Sequence, residues 1–483
     1  MNWTLALHPD PDSGSSLTVR IARAITRDIQ RGRLTPGARL PGTRHLARQL
    51  GVHRNTVVAA YEDLLAEGWL TARPGSGTFV SAELPDRPAA PGAGTTQVGY
   101  DLPPWRELRA PEPEPPRGAL TLNGGSPDLR LVPTAALARA WRRALRQPHL
   151  LAYGDTRGLP RLRGALASML AARRGLAVHA DGLLATRGAQ MALALIARAL
   201  VRPGERVAVE ALGYAPAWQA FRDAGAALVP LRVDSDGVVV DDLEQALADG
   251  PVRLVYVTPH HQFPSMAVLP AARRLRLLEL ARAHRIVVVE DDYDHEFHFE
   301  GPPVRPLGAM DPAGCVLSVG TLSKVLAPGL RMGWVAGPPQ VVERLAAHRR
   351  YLDRQGDAVT EAAVAELLDD DTIPRHVRRM RRVYARRRDA LLAALERELG
   401  GVLSELPTPG GLALWPRVAD DIDVGAWVRR CRERGVWFQP GATYAFDGGA
   451  LPRVRLGYPG LDEAQLEEAA RRMRLALPLK SCR

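Results

Sequence analysis

The chain has 483 residues, 46% of them hydrophobic, and a formal net charge of +11. That length exceeds one small core and calls for two or three domains. No run is long and apolar enough to span a membrane, and MNWTLALHPDPDSG has no basic region followed by an apolar core, so no secretory leader is expected and the expected location is the cytoplasm. Cys315, Cys431 and Cys482 are widely spaced, read as reduced thiols, and speak against a metal site. The positive charge permits nucleic-acid binding without requiring it. Basic residues are spread along the chain, and the run RHVRRMRRVYARRRD reads as a solvated helix face.

In chain order, LTVRIARAITRDIQRG comes first, with Leu17, Ile21, Ile25 and Ile29 as one amphipathic stripe. Gly32 and the TPG after it end that helix. A short helix over about Thr43 to Gln49, a turn through Gly51 and a second helix over about Arg54 to Glu67 follow, in helix-turn-helix order. TARPGSGTFVS then predicts two short strands around a Gly-Ser-Gly turn, a hairpin wing. The alternative is a small three-helix domain with no DNA role. Residues 82–118 contain nine prolines and keep neither helical nor strand period, which reads as a semi-extended linker. The expected division is a head at 1–81, a linker at 82–118 and a body at 119–483.

The head resembles the winged helix-turn-helix of GntR-family bacterial regulators through GRLTPGARLPGTRHLARQLGVHRNTVVAAYEDLLAEGWL and GSGTFV. The resemblance implies double-stranded promoter DNA as partner. Arg44 and Arg54 would contact it, with Asn55 and Thr56 opening the recognition helix and Gly75, Ser76 and Gly77 forming the wing tip. Arginine forks suit guanine edges, and helix N-termini suit phosphates. His53 stands where that family usually has a small capping residue.

The body alternates strands and helices. Apolar runs at RVAVEA, RLVYVTP, RIVVVED, CVLSVGT and RMGWVAG predict an α/β domain with a mostly parallel, buried sheet. Ligands bind at the carboxyl ends of such strands. There the chain places Asp291, Asp292 and Tyr293, then Thr321, Ser323 and Lys324, then His260, His261 and Gln262. Arg187, Gly188, Ala189 and Gln190 precede a helix. Each group alone is weak: paired aspartates also cap helices or bind metals, and paired histidines are often ordinary core or surface residues.

Lysine usage sharpens the reading. Only Lys324 and Lys480 are lysines, against an arginine-dominated total of 64 basic residues. Lys480, near the C-terminus, reads as a solvated charge. Arginine replaces lysine wherever only positive charge matters, but not where an amine must lose its proton and condense with an aldehyde. Pyridoxal 5'-phosphate (PLP) needs such an amine. It also needs a carboxylate for its pyridine nitrogen, hydroxyls and N–H groups for its phosphate, and an aromatic face. Lys324, Asp291, Thr321 with Ser323 and Arg331, Gly188 to Gln190, and Tyr214 supply that set.

Residues 119–483 resemble fold-type I aminotransferases, through NGGSPD, YGDTRGLPRLRGAL, TRGAQMAL, EALGYAPA, TPHHQFPSM, VVVEDDYDHEF, TLSKVLAPGLRMGW, PGGLALW, VWFQPGATYAF and RVRLGYPG. The resemblance implies a large sheet domain and a smaller C-terminal α+β domain. It implies that Lys324 forms the Schiff base with PLP, Asp291 meets the pyridine nitrogen, and Tyr293 bonds the ring hydroxyl. Arg455 would take an effector carboxylate, and Tyr153 would reach the phosphate in a neighbouring subunit of a head-to-tail homodimer. Two departures stand out: Ser265-Met266 replaces the usual Thr-Gly, and Arg187 replaces a small polar residue. The order of head, linker and body resembles the MocR subfamily of GntR-family regulators. That implies a PLP-dependent transcriptional regulator sensing PLP or an amino-acid-like compound through an internal or external aldimine, with at most a residual transaminase half-reaction. A working aminotransferase with a DNA-binding appendage is the alternative, and an inert dimerising scaffold the third reading.

Overall fold

The computed structural model describes residues 16–84, 99–102, 113–301, 304–406 and 410–478. Much of the proline-rich stretch, together with Lys480 and Cys482, lies outside the described residues. The chain divides into two compact units, Met1–Trp105 and Arg106–Arg483.

In the first unit, helices span Leu17–Gln30, Thr43–Leu50 and Arg54–Ala66. Ile21, Ile25 and Ile29 of the first helix are buried with Leu46, Val57, Tyr61 and Leu64. Leu17, expected in the same stripe, is exposed; it is the first helical residue, beyond the reach of that core. Gly51 ends the second helix at φ 65, where its N–H bonds back to the Ala47 and Arg48 carbonyls. A left-handed stop of this kind favours glycine. Leu70–Arg73 and Gly77–Val80 pair antiparallel, Leu70 opposite Val80 and Arg73 opposite Gly77, and so form the wing.

In the second unit, seven strands form one sheet. Across the sheet they run Leu183–Thr186, Gly333–Ala336, Val316–Thr321, Val287–Asp291, Val252–Val257, Arg206–Glu210 and Ala227–Leu231. Gly333–Ala336 is antiparallel to both its neighbours, and the other pairings are parallel. Every residue of Val316–Thr321 is buried, as expected for a strand covered on both faces. A smaller sheet orders Ala413–Leu414, Val454–Gly457 and Gln439–Pro440. Its core includes Leu414, Leu456, Trp427 and Phe438.

Most of the arginine-rich run is solvated as expected, with Arg375, Arg378, Arg379, Arg381, Arg382 and Arg386 exposed; two of its arginines turn inward. The run lies in the helix Thr372–Leu399, where Arg387 and Arg388 are buried. Arg387 donates to Asp128 Oδ2 at 2.9 Å, and Arg388 Nη1 lies 2.7 Å from Glu300 Oε1. Burial is tolerated because each guanidinium meets a carboxylate.

Candidate cofactor pocket and nucleic-acid interface

In the head, Arg44 and Arg54 open the second and third helices, and both are exposed. Neither helix has an acidic residue in its first turn, so the positive ends of both helix dipoles are left uncompensated. Asn55 is exposed and Thr56 half-buried. His53 accepts from the Asn55 N–H through Nδ1 at 3.3 Å, so the imidazole takes over the capping role of a small polar residue. Gly75, Ser76 and Gly77 are exposed at the wing tip. Gly75 and Gly77 have φ 74 and 116, conformations in which a side chain is strained.

In the body, the strand ends converge on a cavity of about 230 Å³. Lys324, Asp291, Tyr293, Tyr214, Thr321, Ser323, Arg331, Ala189 and Gln190 line it. Adjacent parallel strands explain the convergence: Asp291 lies opposite Val319, just before Thr321 and Lys324. Lys324 Nζ donates to the Gly124 carbonyl at 2.7 Å. Burial, reinforced by the Arg455 charge, pushes its amine down to about 8. Burial pushes the Asp291 carboxyl up to about 7. The Tyr256 hydroxyl donates to Asp291 Oδ2 at 2.9 Å. Asp291 Oδ1 is buried with no partner among the described residues. Such an oxygen suits a protonated ring nitrogen.

The opposite side suits a phosphate. Gly188 immediately precedes the helix Ala189–Leu200, at φ 83. A Cβ there would stand 3.1 Å from Arg331 Nη2, so glycine admits the guanidinium to the helix N-terminus. Arg331 Nη2 donates to the Arg187 carbonyl at 2.8 Å. The Arg187 side chain is itself exposed and faces Asp353 at 3.5 Å. At this departure the contact to Arg331 is therefore made by the backbone carbonyl. Thr321 Oγ1 donates to Ser323 Oγ at 3.0 Å. Taken together, the orphaned carboxylate oxygen, the depressed amine and the helix-end cradle fit PLP.

Tyr256, Thr258, Phe263, Gly124 and Ser126 also line the cavity. Sequence reasoning missed them as site residues. Strand alternation offered a signal for Tyr256, since it shares a sheet face with the strand-end Thr258. Ser265 and Met266 form a turn at the departure noted above: Ser265 Oγ donates to Gln262 Oε1 at 2.7 Å, and Met266 takes φ 64 in a buried position. Tyr293 Oη donates to the His261 carbonyl at 3.0 Å. Tyr153 is absent from the lining of this cavity; it is 79% exposed, with the Arg354 guanidinium 4.4 Å from its ring centroid.

Arg455 is 1% exposed. Its Nε and Nη1 have no hydrogen-bond partner among the described residues. Its guanidinium carbon lies 4.7 Å from the centroid of Phe263, a ring of the cavity wall.

Burial pushes the nearby His260 imidazole well below its ordinary value, and that of His298 down as well.

A winged helix-turn-helix joined to a PLP-binding aminotransferase fold defines a class of DNA-binding regulator. Residues 17–80 match the bacterial regulatory proteins of the gntR family, and residues 119–473 match aminotransferase class I and II. The chain is 33% identical to the probable rhizopine catabolism regulatory protein MocR of Rhizobium meliloti, over 97% of this chain and 95% of that one. It is 33% identical to the HTH-type transcriptional regulator TauR of Rhodobacter capsulatus, over 97% and 98%. The body is similar to Pyrococcus horikoshii kynurenine aminotransferase, at TM-score 0.69 and 30% identity over 74% of this chain and 90% of that one. The chain belongs to the MocR subfamily of GntR-family transcriptional regulators, and PLP is its cofactor. No described helix is long and apolar enough to cross a membrane.

Proposed function

We propose that this regulator senses an amino compound carrying a carboxylate, through PLP held in the body, and that binding changes how the heads engage promoter DNA. Arg455 carries the reading. A buried guanidinium without an anion is costly, and an incoming carboxylate would pair with N–H groups that this one leaves unsatisfied. PLP supplies an aldehyde and an electron-withdrawing ring. Lys324 would present its amine to the aldehyde, and Asp291, fixed by Tyr256, would hold the proton on the ring nitrogen. Tyr293 would face the ring hydroxyl and Tyr214 the ring. Thr321, Ser323, Arg331 and the N–H groups after Gly188 would hold the phosphate. In the head, Arg44, Arg54, Asn55 and Thr56 would meet the major groove, with Gly75, Ser76 and Gly77 at the backbone.

The exposed Tyr153 supports a homodimer in which it reaches the partner's phosphate. Leu151 and Tyr351 are likewise exposed, at 66% and 89%, apolar surface that a second copy would cover. A regulator needs only differential affinity of the effector for two arrangements, typically about 1–3 kcal/mol of coupling. Slow transamination is a second reading, favoured by the amine of Lys324 titrating near 8 beside Asp291. Amino-donor turnover approaching about 1–1000 per second, with transcription unchanged on deletion of the protein, would establish an enzyme instead.

The test is Arg455→Ala. The variant is expected to keep the cofactor's visible absorption and basal operator binding while its response to an amino-acid effector disappears. If the effector is PLP alone, the variant responds normally, and Thr321→Ala or Arg331→Ala removes the response instead.

A further inference from the structure

Beside the cofactor cavity lies a cluster of histidines that the PLP chemistry does not use. His260 and His261 follow the strand Val252–Val257, and His298 follows the short turn His295–Phe297 beyond the neighbouring strand Val287–Asp291. Parallel pairing of these strands brings the three rings together. One nitrogen from each of the three lies within 4.8 Å of the others. The rings are 2%, 1% and 6% exposed respectively.

The ordinary explanation is core histidines satisfied by neighbours, and it leaves four of the six ring nitrogens unaccounted for among the described residues. Both nitrogens of His260, Nε2 of His261 and Nδ1 of His298 are buried and lack a partner among the described residues. Each such atom costs about 1–3 kcal/mol when left unpaired. We propose that His260, His261 and His298 form a binding site for one divalent transition-metal ion of the zinc class.

Three further features fit that ion. His261 Nδ1 lies 2.7 Å from Asp294 Oδ1. That contact places the proton on Nδ1 and frees the Nε2 lone pair, the carboxylate–histidine arrangement common at zinc sites. Asp294 is 1% exposed, its Oδ2 is orphaned, and among the described residues no arginine or lysine pairs with it. A cation bound to His261 would balance that buried charge. Asp292, by contrast, is already held by Arg174 at 3.3 Å and approached by His295 Nδ1 at 2.8 Å. Gly410 leaves room in front of His261: a Cβ there would stand 2.7 Å from Nε2. A tetrahedral ion with bonds of about 2.0–2.1 Å draws its ligand nitrogens to roughly 3.4 Å apart, so the rings close in slightly on binding. Three imidazoles select zinc, cobalt or nickel over calcium or magnesium, which prefer oxygen. The fourth position is left for water.

The experiment uses tag-free full-length protein stripped with a chelator. Zinc titrated against a chromophoric competitor is expected to fill one site per chain, and cobalt to give visible absorption without thiolate charge transfer. His260→Gln and His298→Gln should each weaken zinc at least about tenfold, the scale on which metal-site substitutions act. His295→Gln, in the same cluster but outside the ligand set, should retain it. Circular dichroism melts identify any variant that fails to fold, and the wild-type cobalt spectrum stands without variants. The proposal is overturned if wild-type protein takes up no stoichiometric zinc, if cobalt shows thiolate bands, or if folded His260→Gln and His298→Gln bind as the parent does.

Discussion

In the head, the residues assigned to DNA stand in solvent: Arg44, Arg54 and Asn55 sit exposed at helix starts and Ser76 at a wing tip. In the body, Asp291 and Arg455 are buried and Lys324 and Tyr293 half-buried. The difference follows from the ligand. A duplex approaches from outside and brings its own charge, so exposed arginines wait without a desolvation cost. A small cofactor must be surrounded, so its partners are buried beforehand and some of their polar atoms stay unsatisfied until it arrives. Orphaned atoms therefore locate the site in the body and carry no information in the head.

Substitutions sharpen that contrast, starting with the largest effect. Lys324→Ala should abolish the cofactor's absorption band, and borohydride should trap the cofactor on Lys324 of the parent; trapping on Lys480 would sink the assignment. Lys324→Arg should fail equally, because a guanidinium stays protonated. In the head, the sensitive positions are those of the core and not those of the interface. Ile25 is fully buried, and Ile25→Ala should destabilise the head by about 2–5 kcal/mol, read as a lowered thermal transition.

Arg54→Ala should leave that transition in place and weaken operator binding by roughly 1–3 kcal/mol if the fork reads a base edge. Equal binding by parent and variant would remove the recognition-helix assignment. The smallest effect is a pH response confined to the body. Lys324 titrates near 8, depressed from 10.5 by burial. Its reactive neutral form therefore grows as pH rises through that value. Covalent capture of added cofactor should accelerate about tenfold between pH 7 and 9 and then level off. Stopped-flow absorbance measures it, and a rise of about a hundredfold with no plateau, as an amine at its ordinary value would give, would contradict the depressed amine.

Much of this was legible in the chain. The Ile21, Ile25 and Ile29 stripe, the Gly51 stop and the strand runs follow local period and turn chemistry. The retained Lys324 pointed to PLP because its chemistry is irreplaceable by arginine. Other features were not legible. His53 looked like a departure from a small cap, yet its ring nitrogen caps the helix. Arg187 looked like a departure from a small polar residue, yet it meets Arg331 through its backbone carbonyl. The arginine-rich helix is solvated over most of its arginines, as read, but that Arg387 turns inward to Asp128, remote in sequence, was not legible.

The sequence by itself determined which segments are helices and strands, and which reactive residue types stand at the strand ends. Those properties depend on neighbours a few positions apart. Only the tertiary structure decided which of these groups are left without partners: Asp291 Oδ1 after Tyr256 has taken Oδ2, Arg455 against Phe263, and the rings of His260, His261 and His298. Whether a polar atom is satisfied depends on every element packed around it, and those elements come from residues up to hundreds of positions apart in the chain.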